Sequence, residues 1–251
     1  KEYLAAQHVE LKEHWEYDTI QRSEVKRHLN EYFYYGGLPE ILSFKNKRAM
    51  LSSLYQKIYL GDICARNNIK NDRVMNILIK KIAESVKQPL SFNRLRNVIV
   101  STGAALSVPT TIDYAGYVAD SWLMLPMENE VGKLTEKGAQ KKYYFIDNGL
   151  LNLFLMNSET SLLENMVAVE LFRRYSKENV YYLHTDKEID FIVPDEKLAI
   201  QVSYSIKEES TYNREVLPLA KYAKAHKDWK CLLITHDEEG IPVVPVWKWL
   251  L

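Results

Sequence analysis

The chain has 251 residues, 47% of them hydrophobic and 26% charged, which is the composition of an ordinary globular protein. Its 33 basic and 33 acidic residues give a formal net charge of zero, which argues against binding of nucleic acid through the overall charge of the chain. No apolar run in the sequence approaches the ~20 residues of a membrane span, and the two distant cysteines exclude a disulfide framework.

These features predict a cytoplasmic location and no membrane partner. No signal peptide opens the sequence. The first residue is Lys1 rather than Met, so we expect a fragment or a processed chain. Composition leaves the oligomeric state open.

The first third of the sequence predicts helices. Residues 1–45 have a helical pattern that is interrupted by Gly-Gly-Leu-Pro-Glu at positions 36–40, a turn signal between helices. From about residue 47 to residue 85, apolar residues recur at spacings of three and four. This spacing predicts at least two amphipathic helices.

Residues 89–146 predict a winged helix. Ser91 is placed to cap one helix, and Pro109 opens a second helix that runs to Asp120. Two strands follow, at 122–127 and 142–146, with a polar loop between them. Helix, turn, helix, strand, loop and strand is the element order of that motif.

The last hundred residues predict an α/β unit around a small sheet. Ser161-x-x-Glu164 is a capping-box pattern that opens a helix to about Tyr175. Strands are predicted near 179–184, 188–193 and 197–205, a helix near 211–226, and a buried strand at 231–235.

The pair of strands at 188–193 and 198–203 carries the most specific pattern. Both alternate polar or small residues with apolar ones, which is typical of half-buried strands. If Val193 pairs with Leu198, Asp190 lies opposite Gln201, and Ser203 follows on the same face. A polar column of this kind is where a metal-dependent nuclease would hold its carboxylates.

Several phrases, taken in order, resemble the C-terminal region of a large prokaryotic family of AAA-superfamily ATPases. They are Gly-Gly-Leu-Pro-Glu at 36–40, Tyr-Leu-Gly-Asp-Ile at 59–63, Lys-Tyr-Tyr-Phe-Ile-Asp-Asn-Gly-Leu at 142–150, Leu-Glu-Asn at 163–165, Val-Glu-Leu at 169–171, Glu-Ile-Asp-Phe at 188–191 and Pro-Val-Trp at 245–247. The resemblance implies a nucleotide-binding core upstream of Lys1, with ATP and Mg²⁺ as cofactors of the parent ATPase. No GxxxxGK[ST] phosphate loop occurs in these residues, so we expect no ATP binding by this chain alone.

The resemblance also implies a tail with the PD-(D/E)XK nuclease fold, whose site combines a helix glutamate, a strand aspartate and a Glu-x-Lys on the next strand. Carried over by position, these residues are Glu164, Asp190, Gln201 and Ser203, and the last two depart from the pattern. The predicted fold is therefore an α+β multidomain chain. It comprises a helical linker or lid segment (1–45), a helical and winged-helix domain (46–146) and a nuclease-like α/β domain (147–251).

The departures make catalysis the minority interpretation. Asp190 and Glu164 are candidate ligands of one Mg²⁺, but Gln201 offers only a neutral carbonyl and Ser203 has no charge to activate water. Lys207 and Lys187 are candidates for a migrated lysine. Capping is the favoured role of Glu164, and Asp190 has an alternative role in hydrogen bonds to Gln201.

The partner is predicted as the upstream ATPase domain together with DNA or another protein. The helix at 109–120 contains no Arg or Lys, which favours protein packing over base readout. The DNA alternative rests on a basic segment at 65–98, including Arg94 and Arg96, and on residues 137–142, including Lys141 and Lys142. Three functions stay open: a non-catalytic accessory region of an AAA-type ATPase, a metal-dependent endonuclease with a rearranged site, and a pure interaction module.

Overall fold

The structure, a computed structural model, describes residues 1–131, 140–185 and 188–251. It is an α+β fold in which helices flank a mixed sheet. The helices before the second strand of the sheet are α1 (Glu2–Ala6), α2 (Thr19–Tyr35), α3 (Pro39–Leu42), α4 (Lys47–Lys57), α5 (Asp72–Glu84), α6 (Phe92–Ser101) and α7 (Val108–Asp120). Those after its first three strands are α8 (Asn148–Asn152), α9 (Glu159–Tyr175), α10 (Glu209–Ala225) and α11 (Val246–Trp249).

The sheet contains eight strands in the order β1-β3-β2-β4-β5-β6-β7-β8. The strands are β1 (Leu90–Ser91), β2 (Met124–Asn129), β3 (Gln140–Phe145), β4 (Tyr181–His184), β5 (Glu188–Val193), β6 (Leu198–Val202), β7 (Lys230–Thr235) and β8 (Val243–Pro245). The pairs β2·β4, β6·β7 and β7·β8 are parallel, and the others are antiparallel. The sheet therefore runs across residue 146, and the predicted domain boundaries stay predictions.

The predicted register of the β5–β6 hairpin is confirmed, since Val193 pairs with Leu198 and Phe191 pairs with Ile200. The prediction that these strands are half-buried is wrong. Residues 189–193 and 198–202 are all buried, because the sheet is covered on both faces. One face joins the main core, and the other packs Ile189 and Ala199 with Leu219 of α10. Asp190 and Gln201, on these two strands, are consequently buried too.

Two phrases of the sequence meet at a buried junction between α2 and α8. The Asp147 carboxylate accepts the Gly37 N–H at 2.8 Å and caps α8 by accepting the Gly149 N–H at 2.8 Å. The Asn148 side chain donates to the Phe33 carbonyl at 3.0 Å. Burial raises the pKa of Asp147 to about 6, against the lowering effect of these backbone donors. The phrases at 36–40 and 142–150 thus have a structural role.

Three elements differ from the sequence predictions. Helix α9 begins at Glu159 rather than Ser161, and β6 ends at Val202 rather than near 205. Residues 58–65 form a π-helix after α4, which the spacing of apolar residues did not predict. π-Helical turns are rare and depart from the 3.6-residue period on which such predictions depend.

Among the described helices, none is long and apolar enough to cross a membrane.

Candidate functional site

The centre of the candidate site is a lysine that the sequence did not single out for it. Strand β3 carries Lys142 into the interior, where its side chain is 0% exposed. Its Nζ lies 3.4 Å from Glu164 Oε1, 3.5 Å from Asp190 Oδ1 and 3.2 Å from Glu188 Oε1. Burial alone would lower the pKa of Lys142, but the three carboxylates raise it above its ordinary value. The ammonium is therefore charged.

The assignment of Lys142 as a DNA contact is wrong, because a buried ammonium that faces three carboxylates cannot reach a phosphate. Lys141, the adjacent residue, points the other way and pairs with Glu128 at 2.9 Å. This opposition follows from the alternation of side chains along a strand.

Glu164 faces the same interior from α9. Its Oε1 accepts a hydrogen bond from the Tyr144 hydroxyl at 2.8 Å. Burial raises the pKa of Glu164, whereas Lys142 and the Tyr144 hydroxyl oppose that rise. The capping interpretation is wrong: the helix begins before Ser161, and Glu164 reaches Lys142 and Tyr144 of β3.

Asp190 of β5 lies beside this pair. Its Oδ2 accepts the Val202 N–H of β6 at 2.9 Å. Burial, and next the charge of Glu164, raise the pKa of Asp190 to about 8, while Lys142 acts in the opposite direction. One buried ammonium does not neutralise two buried carboxylates, so the cluster retains a proton at neutral pH.

Gln201 and Ser203 stand where the PD-(D/E)XK pattern requires charge, and both side chains have other partners. Gln201 Oε1 accepts the Asp190 N–H at 3.3 Å, and its Nε2 donates to Glu215 Oε2 at 2.7 Å. Ser203 Oγ donates to the Ser205 carbonyl at 3.0 Å. The expected pairing between Asp190 and Gln201 exists, but it joins the aspartate's backbone to the glutamine's side chain.

Sequence reasoning missed Glu215 as well as Lys142. Glu215 is buried on α10, four residues before the core residue Leu219. Its other oxygen, Oε1, accepts from Arg214 Nε at 2.9 Å. The signal was available, since an acid one turn from a buried leucine shares the inner face of a helix.

A polar cleft of about 680 Å³ opens above these groups. Its floor contains Glu164, Asp190 and Gln201, and its rim carries Lys87, Arg214 and Lys221. Lys207 was predicted as the migrated lysine, but it is exposed and lies beyond the end of β6, so this prediction is wrong. Lys187, the other candidate, lies outside the described residues.

The residues do not fit the metal ion that the PD-(D/E)XK resemblance implies. Mg²⁺ needs oxygen ligands at about 2.0–2.1 Å, whereas the space between Glu164 and Asp190 contains the Lys142 ammonium. Over residues 1–131, 140–185 and 188–251, no three or more His, Cys, Asp and Glu side chains are grouped to hold a metal.

The predicted DNA contacts lie on the β1–β3 side of the sheet and differ in how far their side chains are exposed to solvent. Arg94 is exposed, whereas Arg96 is half-buried and its Nε donates to the Leu106 carbonyl at 3.0 Å. The exposed positions of α7 include Ile112, Asp113 and Asp120. Part of the basic stretch at 137–142 lies outside the described residues.

The pKa of Asp190 predicts a pH dependence of stability. Unfolded Asp190 loses its proton near pH 3.9 and the folded residue near pH 8, so between these values the folded state binds the extra proton. The extra proton of Asp190 stabilises the folded state fully below about pH 4. This stabilisation falls as the pH rises from there, by up to about 1.4 kcal/mol per pH unit, and is lost once the pH passes about 8. Urea unfolding of the wild type and Asp190→Asn should show the variant gaining relative stability as pH rises. Parallel pH profiles would contradict this assignment.

The fold and the cleft thus define an α+β protein with an internally neutralised acidic cluster, and comparison with known proteins gives the family. Residues 26–161 match the family described as "Domain of unknown function (DUF8612)", and the chain belongs to that family.

Two curated relatives align over the whole chain. An uncharacterized protein of Methanocaldococcus jannaschii is 30% identical over 277 residues, covering 100% of this chain and 61% of that protein. An uncharacterized protein of Haemophilus influenzae is 28% identical over 267 residues, covering 100% of this chain and 62% of that protein. The chain therefore spans less than two thirds of the length of these relatives. No solved structure matches the chain.

Proposed function

We propose that the chain is a non-catalytic accessory region of a cytoplasmic AAA-type ATPase, in which a winged helix and a degenerate nuclease-like domain bind a protein partner. The proposal depends on one observation, which is that side chains of this chain already occupy the place where a metal would bind. The place for a metal between Glu164 and Asp190 is filled by Lys142, and Gln201 is held by Glu215. A metal ion that hydrolyses a phosphodiester would have to displace these internal contacts before it could bind.

The nuclease-like assignment is supported by the positions of three residues. Glu164 lies on a helix, Asp190 on a strand, and Gln201 on the next strand, antiparallel to it. These are the kinds of element on which the PD-(D/E)XK pattern carries its acids. This placement supports a nuclease-like domain whose catalytic groups have been replaced.

The winged-helix assignment is supported by the order α5, β1, α6, α7, β2, β3, in which β1 and β2 both pair with β3. In a winged helix of this order α7 would be the recognition helix, and its exposed Ile112, Asp113 and Asp120 are apolar or acidic. Acidic side chains repel phosphates, so this face suits a protein partner better than DNA.

The ATPase assignment rests on the ordered phrases and on the length of the relatives. The curated relatives extend beyond the aligned region, which leaves room in them for a nucleotide-binding domain. ATP and Mg²⁺ would belong to that domain.

The proposal is tested by incubating supercoiled plasmid with the wild type and with Asp190→Ala in Mg²⁺ or Mn²⁺. We expect no cleavage that depends on Asp190, because the Lys142 ammonium lies against both carboxylates where the metal would bind. Cleavage by the wild type that disappears in Asp190→Ala would refute the non-catalytic role.

The choice of a protein partner is tested by titrating a fluorescent DNA duplex with the wild type, Arg94→Glu and the control Lys45→Glu, whose lysine lies outside the basic segment. We expect weak, salt-sensitive binding that is equal in all three proteins. A loss of about tenfold or more in Arg94→Glu alone would favour DNA instead.

A second candidate, a metal-dependent endonuclease with a rearranged site, is favoured by one observation. Glu164, Asp190 and Glu215 line one open cleft, and the buried Lys142 lies 3.4 and 3.5 Å from the first two, so a lysine from β3 would replace the one missing at Ser203. In this alternative a metal would have to displace the ammonium from between the carboxylates. The plasmid assay separates the two candidates.

A further inference from the structure

We infer that the ammonium of Lys142 is a built-in replacement for a divalent cation, so that the cleft keeps its carboxylates in place without binding metal. The lysine has this role whichever partner the chain binds.

The geometry of Lys142 gives the first argument. Its Nζ faces one oxygen each of Glu164, Asp190 and Glu188, at 3.2 to 3.5 Å. An ammonium has three N–H donors on a compact positive charge, so it can serve three acceptors at once. Three carboxylates from α9 and β5 therefore converge on this one cation.

The balance of charge gives the second argument. Glu164 and Asp190 are buried, whereas Glu188 is 44% exposed and keeps its contact with water. A divalent cation would neutralise two buried carboxylates, but an ammonium neutralises one. The second carboxylate must hold a proton, in agreement with the raised pKa of Asp190.

The remaining polar groups give the third argument. Asp190 Oδ2 is engaged by the Val202 N–H, and Gln201 is fixed between Asp190 and Glu215. Tyr144 donates to the same Glu164 oxygen that faces Lys142. The cluster thus has its hydrogen bonds satisfied with the lysine in place, as a buried polar network requires.

The role of the ammonium is tested with Lys142→Met, which keeps most of the side-chain volume and removes the charge. Melting temperatures are measured in EDTA and in increasing MnCl₂, for the wild type, Asp190→Asn, Lys142→Met and Lys142→Met/Asp190→Asn. We expect no Asp190-dependent response of the wild type. Lys142→Met should regain at least about 3 °C in Mn²⁺, because binding to the folded state alone stabilises it. The double variant, which lacks one of the two buried carboxylates, should not respond.

Two results would overturn the inference. One is Mn²⁺ binding by the wild type, detected by the electron paramagnetic resonance of Mn²⁺ and lost in Asp190→Asn. The other is a Lys142→Met protein that Mn²⁺ leaves unchanged, whether it is folded or unfolded in EDTA, since the metal would then fail to replace the ammonium. The second result would leave the proposed protein-binding role standing, whereas Asp190-dependent plasmid cleavage would remove that role.

Discussion

Replacing Gly149 by alanine is expected to destabilise the fold by about 3 kcal/mol or more. A Cβ at this position would lie 2.2 Å from the Tyr35 carbonyl oxygen and 2.6 Å from its carbon. Both are backbone atoms, so no side-chain rotation relieves the clash. The crossing of α8 over the end of α2 is also fixed by the Asn148 donor to Phe33 and the Asn152 donor to the Tyr34 carbonyl. Urea unfolding followed by circular dichroism measures the loss.

Gly116→Ala is the matched control for this prediction. Gly116 lies within α7, and a Cβ there would meet no atom within 4 Å. Alanine in an unobstructed helical position is expected to stabilise the protein by about 0.5–1 kcal/mol. Equal stability changes in the two variants would show that the junction between α2 and α8 does not require a glycine at position 149.

Replacing Lys142 by methionine is expected to cost about 3–5 kcal/mol in metal-free buffer at neutral pH. The reason is electrostatic, because Glu164 and Asp190 would remain buried without the cation that faces them. The free energy of unfolding from urea titration measures the effect. The deficit should shrink as the pH falls, because protonation of Glu164 removes the charge that the missing ammonium leaves uncompensated.

Lys141→Met is the control for Lys142→Met. The two lysines are adjacent on β3, but Lys141 is partly exposed and pairs with a partly exposed Glu128. Loss of such a surface pair is expected to cost about 0–1 kcal/mol. Similar losses in the two variants would contradict the internal role of Lys142.

The hairpin of β5 and β6 was predictable because its register follows from a short turn and from side chains that alternate between two faces. The same alternation could have identified Lys142. Tyr144 lies two residues away on the same face of β3, and its position within a run of apolar residues indicates that this face is internal. Lys142 was instead assigned to the surface, because two adjacent lysines, Lys141 and Lys142, are typical of a solvent-exposed basic patch.

Other features depended on tertiary contacts that local patterns do not contain. Ser161-x-x-Glu164 fits a capping box, yet α9 begins one half-turn earlier and Glu164 pairs with β3. Asn165 of the same helix bonds both backbone groups of Phe145, at 2.7 and 3.0 Å. These contacts join residues 20 positions apart in sequence, where neither partner indicates the other.

Lys142 is proposed to stand in place of a metal between Glu164 and Asp190. A crystal structure of the wild type grown with MnCl₂, with anomalous diffraction recorded from Mn²⁺, tests it most directly. We expect Lys142 Nζ within hydrogen-bonding reach of both carboxyl groups and no anomalous peak between them. A Mn²⁺ peak between Glu164 and Asp190, with the Lys142 ammonium moved away, would contradict it.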